Sequence, residues 1–364
     1  MVPARPAAAP VRWGRAAVAV SAAAGAALVP LDPVLVERWY SRGSYPAIQS
    51  VLTSISGAVP LALLDVWIVL AAGLAVRGLW RIGRAPRGGR GRALAGAAVN
   101  GVVAVSIVYL AFLACWGLNY RRPPVTARLE FDRARVTDQA VAAAAARAVS
   151  ALNGLHARAH DELDSQPGDA SLRLALAPAF GQAQRALGEE PFARPARPKT
   201  SMLSPYLRWA SVDGLINPLG LEVIVNPDLL PVERPFVLAH EWGHLAGWAR
   251  ESEASLVAWL TCRAGGSAAQ YSGWLSLYWH LRRDVDPDRR AALERQLAAG
   301  PRQDLDAIAA RLARGQPIVR EASWRTYDSF LKANRVPSGV RNYDEVVLLV
   351  IGTGTEAADR PRLR

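Results

Sequence analysis

Lysine is almost missing from this 364-residue chain. Lys199 and Lys332 are the only two, so the net charge of +12 is carried by arginine. Beside so much alanine, that bias reads as the coding habit of a GC-rich genome rather than the footprint of a nucleic-acid partner. No zinc-finger spacing and no aromatic RNA-binding motif accompanies it, and no nucleic acid is expected as a partner. Cysteine is equally scarce: Cys115 and Cys262 lie far apart, which excludes a disulfide framework. There is no internal repeat and no nucleotide-binding glycine loop. Histidine occurs only five times, so a pair at ligand spacing stands out. Apolar residues are what the chain has in excess. At 51% they exceed what an ordinary soluble protein carries, and a membrane portion is expected.

Three apolar stretches in the first third answer to that expectation, at about 16–31, 61–80 and 95–118. They approach or reach the ~20 residues that cross a bilayer core. The first is short, and its arginine-bearing start (Arg5, Arg12, Arg15) also suits a cleaved signal peptide. The link RIGRAPRGGRGR holds Arg81, Arg84, Arg87, Arg90 and Arg92 and no acid, as a short cytoplasmic loop should. The N-terminus is then inside, and everything after the third span is outside. Arg121 and Arg122 run against the rule but do not outweigh that loop. Between the first two spans, Trp39, Tyr40 and Tyr45 are expected as interfacial anchors. Ile48, Val51, Leu52 and Ile55 fall at helical spacing, which predicts a helix on the outer surface. Asp65 is expected to be hydrated at a span end.

Residues 1–120 therefore read as a membrane domain, 125–355 as an extracytoplasmic domain and 356–364, EAADRPRLR, as a disordered tail. Helices are expected over about 137–163 and 170–187. Leu221 to Val225 has the β-branched residues of a short strand. Toward the C-terminus, charge alternation predicts exposed helices, and Val346, Val347 and Val350 a buried stripe.

The chemistry concentrates in HEWGHLAGWARESEAS, from His240 to Ser255. A helix beginning near Pro235 puts Val237, His240, Glu241 and His244 on one face, so both imidazoles can hold one metal with a carboxylate beside it. A catalytic zinc takes a third protein ligand and keeps the fourth position for water. Gly247 can turn the chain through a left-handed cap, after which a second helix brings Glu251 or Glu253. Glu251 is the favoured third ligand because Ala254, Ser255 and Ala258 on its face leave room for close packing; Glu253 is the alternative. Ser255 would then support a ligand by hydrogen bonding. The flanking Glu233, Arg234, Arg250, Glu251 and Glu253 exclude a site inside a membrane span. A second pair at helical spacing, His156 and His160, lies in a strongly polar run and is expected on a solvated helix face.

The combination of three spans ending in CWGLNYRR, then HEWGHLAGWARESEASLVAWL, QYSGWL and YDSFLKANRVPSGVRNYDEVVLLVIG resembles the bacterial membrane-protein family catalogued as domain of unknown function 3810. The resemblance implies a gluzincin-like zinc metallopeptidase domain. In the gluzincin pattern the third ligand opens an E-x-x-x-D or E-x-x-x-N motif, which falls on Glu251 and places Ser255 where Asp or Asn is usual. Metallopeptidases of this kind align substrate on a strand beside the site, for which Leu221 to Val225 is the candidate; a plain buried strand is the other reading. An oxyanion donor is also needed: Tyr271 ranks first, with His280, Tyr327 and Tyr343 also available. The expected fold is mainly α with a small β component, three N-terminal transmembrane helices preceding an extracytoplasmic zincin-like α+β domain. The expected protein is a multi-pass component of the bacterial inner membrane that takes Zn2+, contacts the lipid bilayer and hydrolyses peptide bonds in an extracytoplasmic protein or peptide. The alternative is a non-catalytic, metal-stabilised scaffold of the cell envelope.

Overall fold

The computed structural model describes residues 13–165, 168–190, 192–339, 345–358 and 361–364. Arg5 and Arg12 lie outside them. The chain is mainly helical. It opens with α1 (Trp13–Leu28), none of whose residues is buried. The side chain of Asp32 then accepts the backbone N–H of Val34 at 2.7 Å and caps the single turn α2 (Pro33–Leu35). A π-helical segment, Val36–Ser44, leads into α3 (Tyr45–Ala58). Pro33–Ala58 leaves the line of α1 by 103°. Next come α4 (Leu63–Arg84) and α5 (Arg90–Cys115). Leu63–Arg84 and Arg87–Cys115 are long and apolar enough to cross a membrane, and α1 with Pro33–Ala58 makes a third if that bent pair is one span. Alone, α1 has 16 residues, roughly 24 Å of rise against a bilayer core of about 30 Å. No residue of α4 is buried, and Trp67, Leu70, Leu74, Leu79 and Trp80 all face outward. Such a surface calls for an apolar surrounding.

α3 is amphipathic with its polar side inward. Tyr45, Gln49, Thr53 and Ser56 are buried, while Val51 and Ile55 are 57% and 54% exposed. The inward groups bind backbone: Tyr45 donates to the carbonyl of Leu245 at 2.8 Å and Thr53 to that of Leu221 at 2.8 Å. Gln49 exchanges hydrogen bonds with the backbone of Arg194 at 2.9 and 3.0 Å. Tyr40 and Tyr45 are thus not interfacial anchors, because their hydroxyls are held inside; Tyr40 donates to the carbonyl of Ala114 at 3.0 Å. Trp39 remains 67% exposed.

The polypeptide after α5 does not leave the bilayer side freely. A 3-10 turn, Gly117–Arg121, is buried except at Leu118, which is half-buried. Arg122 pairs with Glu37 at 2.8 Å and Glu189 at 2.7 Å, and stacks on Trp248 at 3.9 Å. Arg121 donates to the carbonyl of Ala26. Both are staples between the N-terminal helices and the rest of the chain.

α6 (Asp138–Ser165) and α7 (Asp169–Ala186) follow, close to the expected bounds. Then come β1 (Pro198–Lys199), α8 (Ser204–Ala210), β2 (Gly214–Asn217) and β3 (Glu222–Val225). The sheet order is β1-β3-β2, with β1 parallel and β2 antiparallel to β3. β3 is buried throughout. It is therefore the central strand, and the free edge expected at Leu221 to Val225 belongs to β2 instead. The remainder is helical: α9 (Arg234–Leu245), α10 (Glu251–Arg263), α11 (Ser267–Asp284), α12 (Pro287–Gln296), α13 (Ala299–Ala313), α14 (Pro317–Ala333) and α15 (Glu345–Gly352). α10 is buried from Glu251 to Cys262 and packs on α9, α7, α11 and α15. Val346, Val347 and Val350 are buried as expected. Described residues of the stretch expected as a disordered tail have partners: Leu363 pairs with Leu129, Arg364 donates its backbone N–H to Arg128 at 2.9 Å, and Glu356 binds Arg147 at 3.1 Å. Backbone pairing supplies what the polar composition lacks.

Sheet and membrane helices are joined by one buried ion pair. Lys199 Nζ lies 2.7 Å from Glu222 and donates to the carbonyls of Ser56 and Leu61 at 2.8 and 2.9 Å. Glu222 accepts the backbone N–H groups of Leu63 and Leu64 at 3.0 and 2.8 Å and the amide of Asn217 at 2.9 Å. It thereby satisfies the orphan donors at the start of α4 and complements the helix dipole. Asp65 is drawn into the same junction, not simply hydrated: it accepts from the hydroxyl of Ser201 and the N–H of Met202. Burial pushes the Glu222 carboxyl upward, but Lys199, Asn217 and the two N–H groups outweigh it and leave it below the ordinary carboxylate range. Replacing Lys199 by Met leaves that charge buried without its partner, and calorimetry of the protein in detergent should record a loss of about 3–5 kcal/mol. Because the folded carboxyl titrates below its unfolded value, Glu222 contributes stability that is complete above roughly pH 4.3 and lost as pH falls through the folded pKa. The acid limb of melting temperature against pH should therefore be shallower in Glu222→Gln than in the wild type.

Candidate metal centre

α9 begins at Arg234 with Pro235 in its first turn, where the missing N–H costs nothing. One turn separates His240 from His244, and their ring centroids are 4.8 Å apart. The chain then reverses at Gly247, whose φ of +84° suits glycine alone among common residues. A Cβ there would also stand 3.0 Å from Asn119 Oδ1. α10 returns along α9 so closely that a Cβ on Gly243 would lie 3.0 Å from both the Cα and the carbonyl oxygen of Ala254.

That approach sets the first residue of α10 against the two imidazoles. Glu251 Oε2 is 3.1 Å from His240 Nε2 and 3.4 Å from His244 Nε2, and Glu251 is 2% exposed. Zinc bonds of about 2.0–2.2 Å place tetrahedral donor atoms roughly 3.3–3.5 Å apart, close to both Glu251–histidine gaps, and the donor atoms of all three lie within 4.8 Å of one another. The other ring nitrogens are held. His244 Nδ1 donates to the carbonyl of Trp248 at 2.8 Å, which leaves Nε2 as the lone-pair nitrogen. His240 Nδ1 lies 3.1 Å from Ser255 Oγ. Glu253 is buried but turned elsewhere, accepting from Val125 N–H at 2.8 Å and Arg250 at 3.2 Å. Of the two candidate glutamates, Glu251 is the one at the histidines.

Glu241 stands beside this group, 3% exposed, with its Oε2 buried and without a hydrogen-bond partner. Its other oxygen meets the start of the edge strand, since a Cβ on Gly214 would lie 2.6 Å from Oε1. Burial pushes the Glu241 carboxyl up to about 7, the two histidines pull against that, and Glu251 adds to it. Burial also opposes charge on His244, but Glu251 overrides it and raises the imidazole to about 9. Glu251, opposed by burial and held by both histidines, stays far below the ordinary carboxylate range. Without a metal, Glu251 thus faces a His244 imidazolium, and a cation bound here takes the place of that proton.

Of the expected oxyanion donors, Tyr271 is not at this centre. Its hydroxyl donates to Asp304 at 2.5 Å and sits with His156 and His160, at 5.7 and 6.1 Å between ring centroids. His280 lies further along α11 and belongs to neither histidine group. Tyr343 lies outside the described residues. The remaining candidate, Tyr327 on α14, donates to Glu251 Oε1, stacks on Phe330 and shares a hydrogen bond with the phenol of Tyr120. Trp116 donates to the carbonyl of His244 at 2.8 Å and sets its ring edge-on to that imidazole at 6.2 Å. Trp116, Asn119 and Tyr120 are therefore the floor of the centre, a role that sequence reasoning does not assign them. Their only signal was their place in CWGLNYRR, just past an apolar run.

Over residues 40–351 the chain matches the family described as "Protein of unknown function (DUF3810)". No curated protein and no solved structure matches it. The matched span contains the histidines, Glu251, Tyr327 and the turn beneath them, and the chain belongs to the DUF3810 family.

Proposed function

We propose that this protein is a membrane-anchored zinc metallopeptidase of gluzincin type, with His240, His244 and Glu251 as metal ligands, that hydrolyses peptide bonds in an extracytoplasmic protein or peptide. The observation that carries the reading is the partnerless buried oxygen of Glu241, 3% exposed, beside a three-donor group that leaves a tetrahedral ion one open position. The group offers three donors, and what marks it for chemistry is the buried carboxylate of Glu241 beside it.

Bound there, zinc supplies a Lewis acid and lowers the pKa of water to about 7. Glu241 takes the proton of the attacking water and passes it to the leaving nitrogen, the two duties of a general acid–base residue. Glu251 and the two neutral imidazoles hold the ion, with Ser255 and the Trp248 carbonyl fixing the rings. Tyr327, whose hydroxyl meets Glu251, would turn to donate to developing charge on the substrate oxygen. Gly214–Asn217 offers the edge on which an extended peptide adds a strand. The arginine-rich turn around Arg81–Arg92 puts that end of α4 and α5 in the cytoplasm, so the N-terminus is cytoplasmic and the centre, at the opposite end of α5, faces the outer side of the bacterial inner membrane.

Glu241→Gln should retain zinc at wild-type stoichiometry by elemental mass spectrometry, yet lose roughly 10²–10⁴-fold in cleavage of a quenched-fluorescent peptide library by the detergent-solubilised chain. Hydrolysis surviving in that variant would end the mechanism. Tyr327→Phe should lower kcat by about 10²-fold with KM and zinc content little changed. A change confined to KM would make Tyr327 a binding residue instead.

A further inference from the structure

The second histidine pair, half-exposed, faces a carboxylate as well as solvent. His156 and His160, one turn apart on α6, converge on a single oxygen of Asp304, carried by α13. His160 Nε2 lies 3.0 Å and His156 Nε2 3.5 Å from Asp304 Oδ2, and the two rings are 4.3 Å apart. Helical periodicity places the pair on one face, but the carboxylate that meets it comes from more than a hundred residues away. The donor atoms of all three lie within 4.8 Å of one another.

We infer that His156, His160 and Asp304 form a second zinc site, separate from the HExxH centre and without catalytic duty. The geometry repeats that of the first group: paired i, i+4 imidazoles and one carboxylate oxygen, at 3.0–3.5 Å against 3.1–3.4 Å. Both intervals overlap the roughly 3.3–3.5 Å spacing of tetrahedral zinc ligands. Two nitrogens and one oxygen suit zinc over calcium or magnesium, which prefer all-oxygen shells. The phenol of Tyr271 donates to the same carboxylate at 2.5 Å, orienting it as supporting groups orient metal ligands. Gly300 allows the close approach, since a Cβ there would lie 2.5 Å from His156 Nε2. The side chains are 29%, 39% and 15% exposed, so the ion enters from solvent and water completes its shell.

The residue after His156 is Ala157, where the first site has Glu241, so no base stands beside this ion. What it does is fasten α13 to α6. The same α13 carries Arg311, which binds Glu233 at 2.5 Å and Asp213 at 2.9 Å. These acids precede α9 and the edge strand, the two elements that hold Glu241. Occupancy of the second site thus bears on how firmly the first is framed.

The test is zinc content of the full chain in detergent, loaded with zinc sulfate and desalted, for wild type and variants. We expect two zinc ions per chain in the wild type, one in His160→Ala, one in Glu251→Ala and none in the double variant. Asp304→Asn, which keeps the shape and the Tyr271 partner, should also hold one. Melting temperatures in chelator should match between wild type and Asp304→Asn, separating loss of an ion from loss of fold. The inference is overturned if the wild type holds a single zinc that Glu251→Ala removes, if His160→Ala and Asp304→Asn both keep two, or if the wild type holds none. A single wild-type zinc removed by His160→Ala and retained by Glu251→Ala would instead sustain this site and defeat the proposed catalytic one.

Discussion

Everything at the candidate metal centre depends on how closely α10 lies on α9. The contact is backbone on backbone at Gly243 and Ala254, and a methyl group on Gly243 would force the helices apart. Such a separation would lengthen the 3.1 and 3.4 Å gaps between Glu251 and the two imidazoles. Zinc coordination tolerates little error in distance. The left-handed turn at Gly247 is part of the same device, because the chain has only a few residues in which to reverse between His244 and Glu251. Small residues on both helices thus have a chemical purpose as well as a packing one.

The second dependence is on the membrane helices. The HExxH helix does not sit on a self-contained soluble domain: Trp116, at the end of α5, holds the His244 carbonyl, and Tyr45 on α3 holds that of Leu245. Those are C-terminal carbonyls of α9, where the regular helix ladder runs out; that of His244 also accepts the N–H of Gly247 at 3.0 Å. The polar face of α3 and the turn after α5 supply the missing donors. Arg122 completes the arrangement by donating to the carbonyl of Gly247 at 3.2 Å while paired with Glu37 and Glu189. The N-terminal helices and the candidate centre are one packed unit, and a fragment starting past Arg122 would lack the floor beneath His240, His244 and Glu251.

Buried charge is used at each junction with its partner in place. Lys199 is one of only two lysines, and it is buried against Glu222 with side-chain exposures of 3% and 1%. An unpaired charge at that depth would cost several kcal/mol, so the pair sets where the sheet meets α4 as much as how strongly. Glu253 illustrates the same economy. It looks like a ligand in sequence, but its carboxylate accepts the Val125 N–H at 2.8 Å and ties the turn after α5 to α10.

Much of this protein is legible from local pattern. Apolar runs, the HExxH spacing, the helix start at Pro235, the turn at Gly247 and the rank of Glu251 over Glu253 follow from periodicity and side-chain size, which act within a few residues. The tertiary structure alone decided the rest. It placed Tyr327 rather than Tyr271 at Glu251, made β3 central and β2 the edge, turned Tyr40 and Tyr45 inward, paired Leu363 with Leu129 and Arg364 with Arg128, and brought Asp304 to His156 and His160. Each of those outcomes joins groups far apart in sequence, and hydrogen-bond partners at that separation are selected by packing of whole helices. A helical repeat shows which side chains share a face. Which distant group that face will meet is settled only when the burial of every other face has been satisfied.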